Sequence, residues 1–279
     1  MSMNLLSLKA KLLNMSKAMN VDFQVLLNRF GAEQFLSRLS QSKAADKFIF
    51  KGGSLLVYLI ETNRKTRDID FSIRQLSNQT DELLKVVQVI LDIPSDDGIT
   101  WGRPKAEVLS HPNLEEPGVR IVCHFQLGQM RGKVQMDLAL GDAVEPVKMT
   151  LPRMHYKGVP LVGEDFSVFT YPPESIFAEK LHIVLTKKEA NSRMKDYYDL
   201  LKLSQSLNDK EKLKHAIEAT FQNRKMELSS RILFDEPQIE ILQTRWAHFL
   251  AKEKLTDTPR NIKDVVDILN KFLTHCGES

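Results

Sequence analysis

The sequence predicts an α+β protein in two parts: residues 1–170, where strands and helices alternate, and residues 171–279, which are helical. Two observations predict this. Short β-prone runs of alternating polarity occur only in the first part, and beyond Pro172-Pro173 apolar residues recur at helical spacing alone. The change of pattern places a boundary near residue 170.

Taken in order, residues 4–40 read as two helices. Leu5, Leu8, Leu12, Leu13 and Met15 mark the first; Asp22 caps the second, which carries Phe23, Leu26, Leu27, Phe30, Phe35, Leu36 and Leu39. Lys47-Phe48-Ile49-Phe50 is a strand, residues 54–62 a helix and residues 68–73 a second strand. An amphipathic helix over 79–93 is broken by Pro94 to Gly98. Strands follow at 105–109, 119–127 and 133–140, the last two joined through Gly128-Gln129-Met130-Arg131-Gly132 as a hairpin. Pro146 to Pro160 reads as loop, and 166–171 as a last strand. Helices are expected at 174–188, 195–206, 209–222, 237–252 and 260–275.

The chain has 279 residues, 42% hydrophobic and 27% charged, as in an ordinary globular protein with ample material for a core. No apolar run could cross a bilayer, and lysines interrupt Ser7 to Met19 where a secretion signal would be apolar, so a cytoplasmic protein is expected. Cys123 and Cys276 lie far apart, with no metal or disulfide spacing. A net charge of +3 permits a nucleic-acid partner without demanding one.

The chemistry concentrates at Lys51-Gly52-Gly53-Ser54, between the first strand and the helix after it. Glycines at such a turn let backbone N–H groups approach a phosphate, the helix N-terminus favours the anion, and a serine hydroxyl can donate to it. Asp68 and Asp70 then lie two apart on the next strand and project from one face. Adjacent carboxylates of this kind suit magnesium or manganese, with substrate phosphates as further ligands. A plain turn and a solvated strand face would contain the same residues; the order strand, turn, helix, strand favours a nucleotide triphosphate site.

Arg64-Lys65-Thr66-Arg67 is either a solvated loop or a source of positive charge for the triphosphate, with Arg67 the first candidate. Asp137, alone on its strand, is either a surface residue or a third carboxylate that binds metal or takes the proton of an attacking hydroxyl. In the helical part, Arg193, Lys195, Asp196 and Asp199 crowd a helix start around two tyrosines. They form a solvated N-terminus, or else Asp196 holds in place a Lys180 that reaches the triphosphate.

These residues resemble the AbiEii/AbiGii toxin-type nucleotidyltransferases of the DNA polymerase β-like superfamily. The likeness rests on Lys51-Gly52-Gly53-Ser54-Leu55-Leu56, Arg64-x-x-Arg67-Asp68-Ile69-Asp70-Phe71 and Val134-x-x-Asp137. It extends through Tyr171-Pro172-Pro173-Glu174, Glu179-Lys180 and Asn191 to Leu200. It spans roughly residues 20–205 and implies a polymerase β-like core with a mixed sheet and flanking helices, then a helical domain, with the site in the groove between them. It further implies that Gly53 and Ser54 bind phosphates, that Asp68 and Asp70 hold Mg2+ or Mn2+ with Asp137 as the remaining acid, and that Lys180 and Asp196 come from the helical half. Lys51, Arg67 and Arg193 join the nucleotide-binding set. Such proteins are toxins of toxin–antitoxin or phage-abortive systems, and some transfer nucleotides from an NTP to tRNA; a cognate antitoxin is an expected partner.

Three other readings remain open on the sequence. One is nucleotide transfer to a protein, or phosphoryl transfer to a small molecule such as an aminoglycoside-like amine or alcohol. Another is a nucleotide-sensing module without turnover. The last is an RNA-binding helical domain with a basic surface of Lys187, Lys188, Arg193, Lys195, Arg224 and Lys225.

Overall fold

A computed structural model describes residues 4–60, 68–77, 79–109, 118–140, 144–227 and 231–277, with backbone alone at 275–277. These pack as two compact units, residues 4–58 with 68–171 and residues 59–60 with 172–277.

The first unit opens with helices α1 (Leu5–Met19) and α2 (Phe23–Gln41), then β1 (Phe48–Lys51), α3 (Gly52–Leu59), β2 (Ile69–Ile73) and α4 (Thr80–Leu91). Next come β3 (Ile99–Trp101), β4 (Lys105–Leu109), β5 (Gly118–Leu127) and β6 (Met130–Leu140). It closes with β7 (Val147–Leu151), the two-residue strands β8 (His155–Tyr156) and β9 (Val159–Pro160), and β10 (Phe166–Thr170). The main sheet runs β3-β5-β6-β2-β1-β10-β7, with β4 beside β3 on the same edge of β5. It is mixed: β2 pairs parallel with β6 and β1 with β10, whereas β1–β2, β5–β6 and β7–β10 are antiparallel.

Alternation along the strands makes one face apolar. Phe48, Phe50, Ile69, Phe71, Ile73, Met136 and Leu138 are buried there, and Phe71 meets the rings of Phe35, Phe48 and Phe50. Each fully buried side chain of this size stabilises by roughly 1.5–3 kcal/mol. Asp22 caps α2 as expected, accepting from the backbone N–H of Gln24 at 2.8 Å.

Three local readings are corrected. The β5–β6 turn has two residues, Gly128-Gln129, because Gly128 takes φ +60°, and β6 starts at Met130 rather than Lys133. Helix α3 starts at Gly52, two residues earlier than expected, so Ser54 does sit near its start; residues 61–62 of the expected helix lie outside the described residues. The Pro146–Pro160 stretch holds three strands; β7 is an edge strand that buries only Leu151, so it lacks the alternation that marks a strand.

Helix α2 also buries a polar face. Arg38 pairs with Asp97, and Arg153, in the link from β7 to β8, donates to Gln34, Ser37 and the carbonyl of Glu164. Glu33 accepts from the Met154 backbone N–H at 2.6 Å.

The second unit is helical. It comprises α5 (Pro173–Lys187), a single 3-10 turn (Lys188–Ala190), α6 (Met194–Ser206), α7 (Lys210–Asn223), α8 (Glu236–Glu253) and α9 (Ile262–Gly277). Its core includes Phe177, Leu181, Tyr197, Leu200, Phe221, Trp246 and Leu269. The Trp246 indole N–H donates to the Pro259 carbonyl at 2.9 Å. Among the described residues no helix is long and apolar enough to cross a membrane.

Candidate functional site

Residues paired across neighbouring strands share a sheet face. Five charged residues fall in one such row: Glu107 on β4 opposite Arg120 on β5, Arg120 opposite Asp137 on β6, Asp137 opposite Asp70 on β2, and Asp70 opposite Lys51 on β1. The row alternates in sign except at Asp70 and Asp137, where two carboxylates adjoin. At that junction each carboxylate has a cation on its other side in the row, Arg120 beside Asp137 and Lys51 beside Asp70.

The turn from β1 into α3 carries Asp70. Gly52 has φ +73°, a conformation that L side chains rarely adopt, and a Cβ on it would stand 2.0 Å from Asp70 Oδ2. The carboxylate occupies the space a side chain would need, at the N-terminus of α3. Gly53 and Ser54 follow in the first helical turn, where backbone N–H groups lack helical partners.

Ser54 is buried, and its hydroxyl has no hydrogen-bond partner among the described residues. It lines a cavity of about 40 Å³ with Asp68, Asn28, Arg29, Tyr58, Lys133 and Gln135. That volume holds a few waters, not a nucleotide. Burial pushes the Tyr58 hydroxyl beside it up to about 12. Asp68 itself lies just before β2, half-buried. Lys51 extends along Tyr171, its Nζ 4.8 Å from the ring centre and 3.5 Å from the hydroxyl. Arg64, Lys65, Thr66 and Arg67 lie outside the described residues.

Asp137 is engaged by a residue that sequence reasoning missed. Arg120 Nε donates to its Oδ1 and Nη2 to its Oδ2, both at 2.8 Å, a two-pronged ion pair with each side chain about three-quarters covered. These bonds raise the guanidinium pKa further above its ordinary value. Among the described residues no group of three or more acidic, His or Cys side chains is gathered as a metal centre. Two carboxylates still fit a hard divalent ion, since magnesium commonly takes one or two and fills its shell with waters and phosphates.

In the helical unit, Lys180 on α5 is buried between two aspartates of α6, its Nζ 3.0 Å from Asp196 Oδ1 and 2.7 Å from Asp199 Oδ2. Both aspartates are fully buried, so the start of α6 is not a solvated helix end. Arg193, half-exposed, brings its Nε within 3.6 Å of Asp196 Oδ2. Burial, followed by the Asp196 charge, pushes the Tyr197 hydroxyl above its usual range. The spacing of Asp196 and Asp199 was the signal for the second acid, because residues three apart share a helix face.

The profile of the family described as nucleotidyl transferase AbiEii toxin, type IV toxin–antitoxin system, matches residues 34–271. No curated protein matches the chain. Among solved structures the chain is similar to JHP933 of Helicobacter pylori, at TM-score 0.51 and 14% identity, over 91% of each chain. It is also similar to a Helicobacter pylori protein provisionally assigned as a nucleotidyltransferase, at TM-score 0.52 and 14% identity, over 92% of this chain and 96% of that one. At that identity the likeness speaks for the fold. The family match covers most of the chain, and on it this protein belongs to the AbiEii nucleotidyltransferase toxins of type IV toxin–antitoxin systems.

Proposed function

We propose that the chain transfers a nucleoside monophosphate from an NTP to an acceptor hydroxyl on RNA, with tRNA the first candidate. The observation that carries this reading is the junction at Gly52. There a carboxylate that suits a metal ion, two residues after Asp68, stands against the N-terminus of the helix that opens with Gly53 and Ser54.

In this reading the N–H groups of Gly53 and Ser54 and the Ser54 hydroxyl hold phosphate oxygens. Lys51 and Arg67 supply positive charge here; in the helical unit Lys180 is held by Asp196 and Asp199, with Arg193 beside them. Asp68 and Asp70 are the residues that would hold Mg2+ or Mn2+. Such an ion, when bound, neutralises charge developing on the triphosphate. The acceptor oxygen forms a bond to the α-phosphorus, the bond to the β-phosphate breaks, pyrophosphate leaves and the hydroxyl proton passes to solvent. Orientation and fixed charge supply most of the acceleration. A cognate antitoxin is the expected protein partner.

The test is incubation of the purified protein with each α-labelled NTP, Mg2+ and total bacterial tRNA, beside Asp70→Asn. Label on tRNA with the wild type alone, from a variant with unchanged melting temperature, is the expected result. Label on protein or a small molecule moves the acceptor elsewhere. A folded, fully active Asp70→Asn removes the reading.

A further inference from the structure

We propose that Arg120 is a phosphate-binding residue of the transfer site and that Asp137 is its positioning residue rather than a third metal ligand. The proposal rests on the nucleotidyl-transfer reading.

Both Asp137 oxygens accept from the Arg120 guanidinium at 2.8 Å. A divalent ion on the same carboxylate would sit against a fixed positive charge, so binding it there costs the ion pair or incurs repulsion. Asp137 is thereby committed to the arginine. The fork uses Nε and one Nη2 proton. Nη1 and the second Nη2 proton have no hydrogen-bond partner among the described residues, and the charges of Asp68 and Glu107 also act on the guanidinium.

The register fixes where the guanidinium lies. Asp137 stands one strand from Asp70, a spacing of roughly 5 Å, and Arg120 stands one strand beyond. Arg120 is therefore a cation anchored on the face that carries Asp70, held by two bonds so that little freedom is lost on binding an anion. A planar guanidinium with donors to spare matches a phosphate oxyanion better than a lysine would. The same electrostatic work that a metal-binding carboxylate would do indirectly is done here by the arginine itself. Phosphate oxygens of the NTP or of the RNA acceptor backbone both satisfy this chemistry.

The experiment compares wild type, Arg120→Gln, Asp137→Asn, the double variant and Asp70→Asn. Each is checked by melting temperature. Affinity for the α,β-methylene analogues of the four NTPs is measured by calorimetry with Mn2+, Mn2+ uptake by spin resonance, and tRNA affinity without nucleotide. The expected result is that Arg120→Gln and Asp137→Asn each weaken one phosphate ligand by about tenfold or more, and the double variant no further. The Mn2+ midpoint stays at the wild-type value in both, while Asp70→Asn loses it. Weakened methylene-NTP binding assigns the phosphate to the nucleotide; weakened tRNA binding assigns it to the acceptor. Arg120→Lys, which keeps the charge and loses the fork, recovers part of the affinity and serves where Arg120→Gln fails to fold. The proposal is overturned if Asp137→Asn shifts the Mn2+ midpoint as Asp70→Asn does while Arg120→Gln leaves it unmoved. It is overturned equally if folded Arg120 variants bind both ligands like wild type. A wild type that takes up neither Mn2+ nor methylene-NTP sinks the nucleotidyl-transfer reading itself, a different outcome from any variant pattern.

Discussion

Asp70 Oδ2 fills the space in which a side chain on Gly52 would have to stand, 2.0 Å from where its Cβ would be. The glycine and the aspartate are thus one feature: the positive φ turns β1 into α3, and the missing side chain admits the carboxylate. Gly52→Ala combines a disfavoured backbone conformation, costing about 1–2 kcal/mol, with displacement of Asp70. A misplacement of about 1 Å lowers turnover roughly 100-fold. The expected outcome is a folded protein with a lowered melting temperature and a far larger loss of nucleotide transfer. A variant that stays fully active shows that Asp70 need not stand at the turn.

Ser54 separates stability from function. A buried hydroxyl without a protein partner among the described residues, facing a cavity that holds a few waters, adds little to stability, and its removal costs little. Ser54→Ala is expected to melt close to the wild-type temperature while binding methylene-NTP more weakly. A marked drop in melting temperature with unchanged nucleotide affinity shows instead that the hydroxyl has a structural partner.

Lys180 is the positive counterpart of two fully buried carboxylates. Lys180→Met leaves both without their shared cation, and breaking a buried pair in this way costs about 3–5 kcal/mol. Urea unfolding is expected to show a loss of that order, and adding Asp196→Asn and Asp199→Asn to recover part of it. A Lys180→Met protein as stable as wild type shows that Arg193 or solvent already compensates the aspartates.

What the sequence made legible follows from local rules. Alternation on β6 correctly put Asp137 on the opposite face from Val134, Met136 and Leu138, and the glycines marked the β1–α3 turn. What escaped was register. A five-residue link from Leu127 to Lys133 would set Asp137 against Cys123, whereas the two-residue turn sets it against Arg120. The Arg120–Asp137 pairing goes with the two-residue turn at Gly128-Gln129, in which Gly128 takes a positive φ. The pairing of Asp196 with Lys180 was legible as one of two readings and is found, whereas the burial of Asp199 and Glu33 was hidden, because both are polar letters in helical patterns whose apolar faces alone suffice for a core. The contacts that bury them come from Lys180 and from the Arg153–Met154 link, distant in sequence.

Glu33 yields a pH prediction. Its carboxyl is almost wholly buried, and desolvation raises its pKa from 4.5 to about 7, against the lowering effects of the Met154 N–H and of Arg153. Arg153 is 3.7 Å away and shared with Gln34 and Ser37, too long and divided a contact to offset burial. Between pH 4.5 and about 7 the folded state therefore binds more protons at Glu33 than the unfolded state, and stability from this group falls as pH rises. The total change is on the order of 3 kcal/mol, still under way at about pH 7 and flat from about pH 8. His182, which burial holds below its usual range, acts in the opposite sense, losing stability as pH falls toward and below its ordinary value near 6.5. Comparison with Glu33→Gln cancels that contribution, since His182 is present in both proteins. The difference in urea-unfolding free energy between wild type and Glu33→Gln is expected to shift against the wild type across pH 5–7 and to level off by pH 8. A difference that stays constant across this range shows that Glu33 is ionised in the folded protein and that Arg153 outweighs burial.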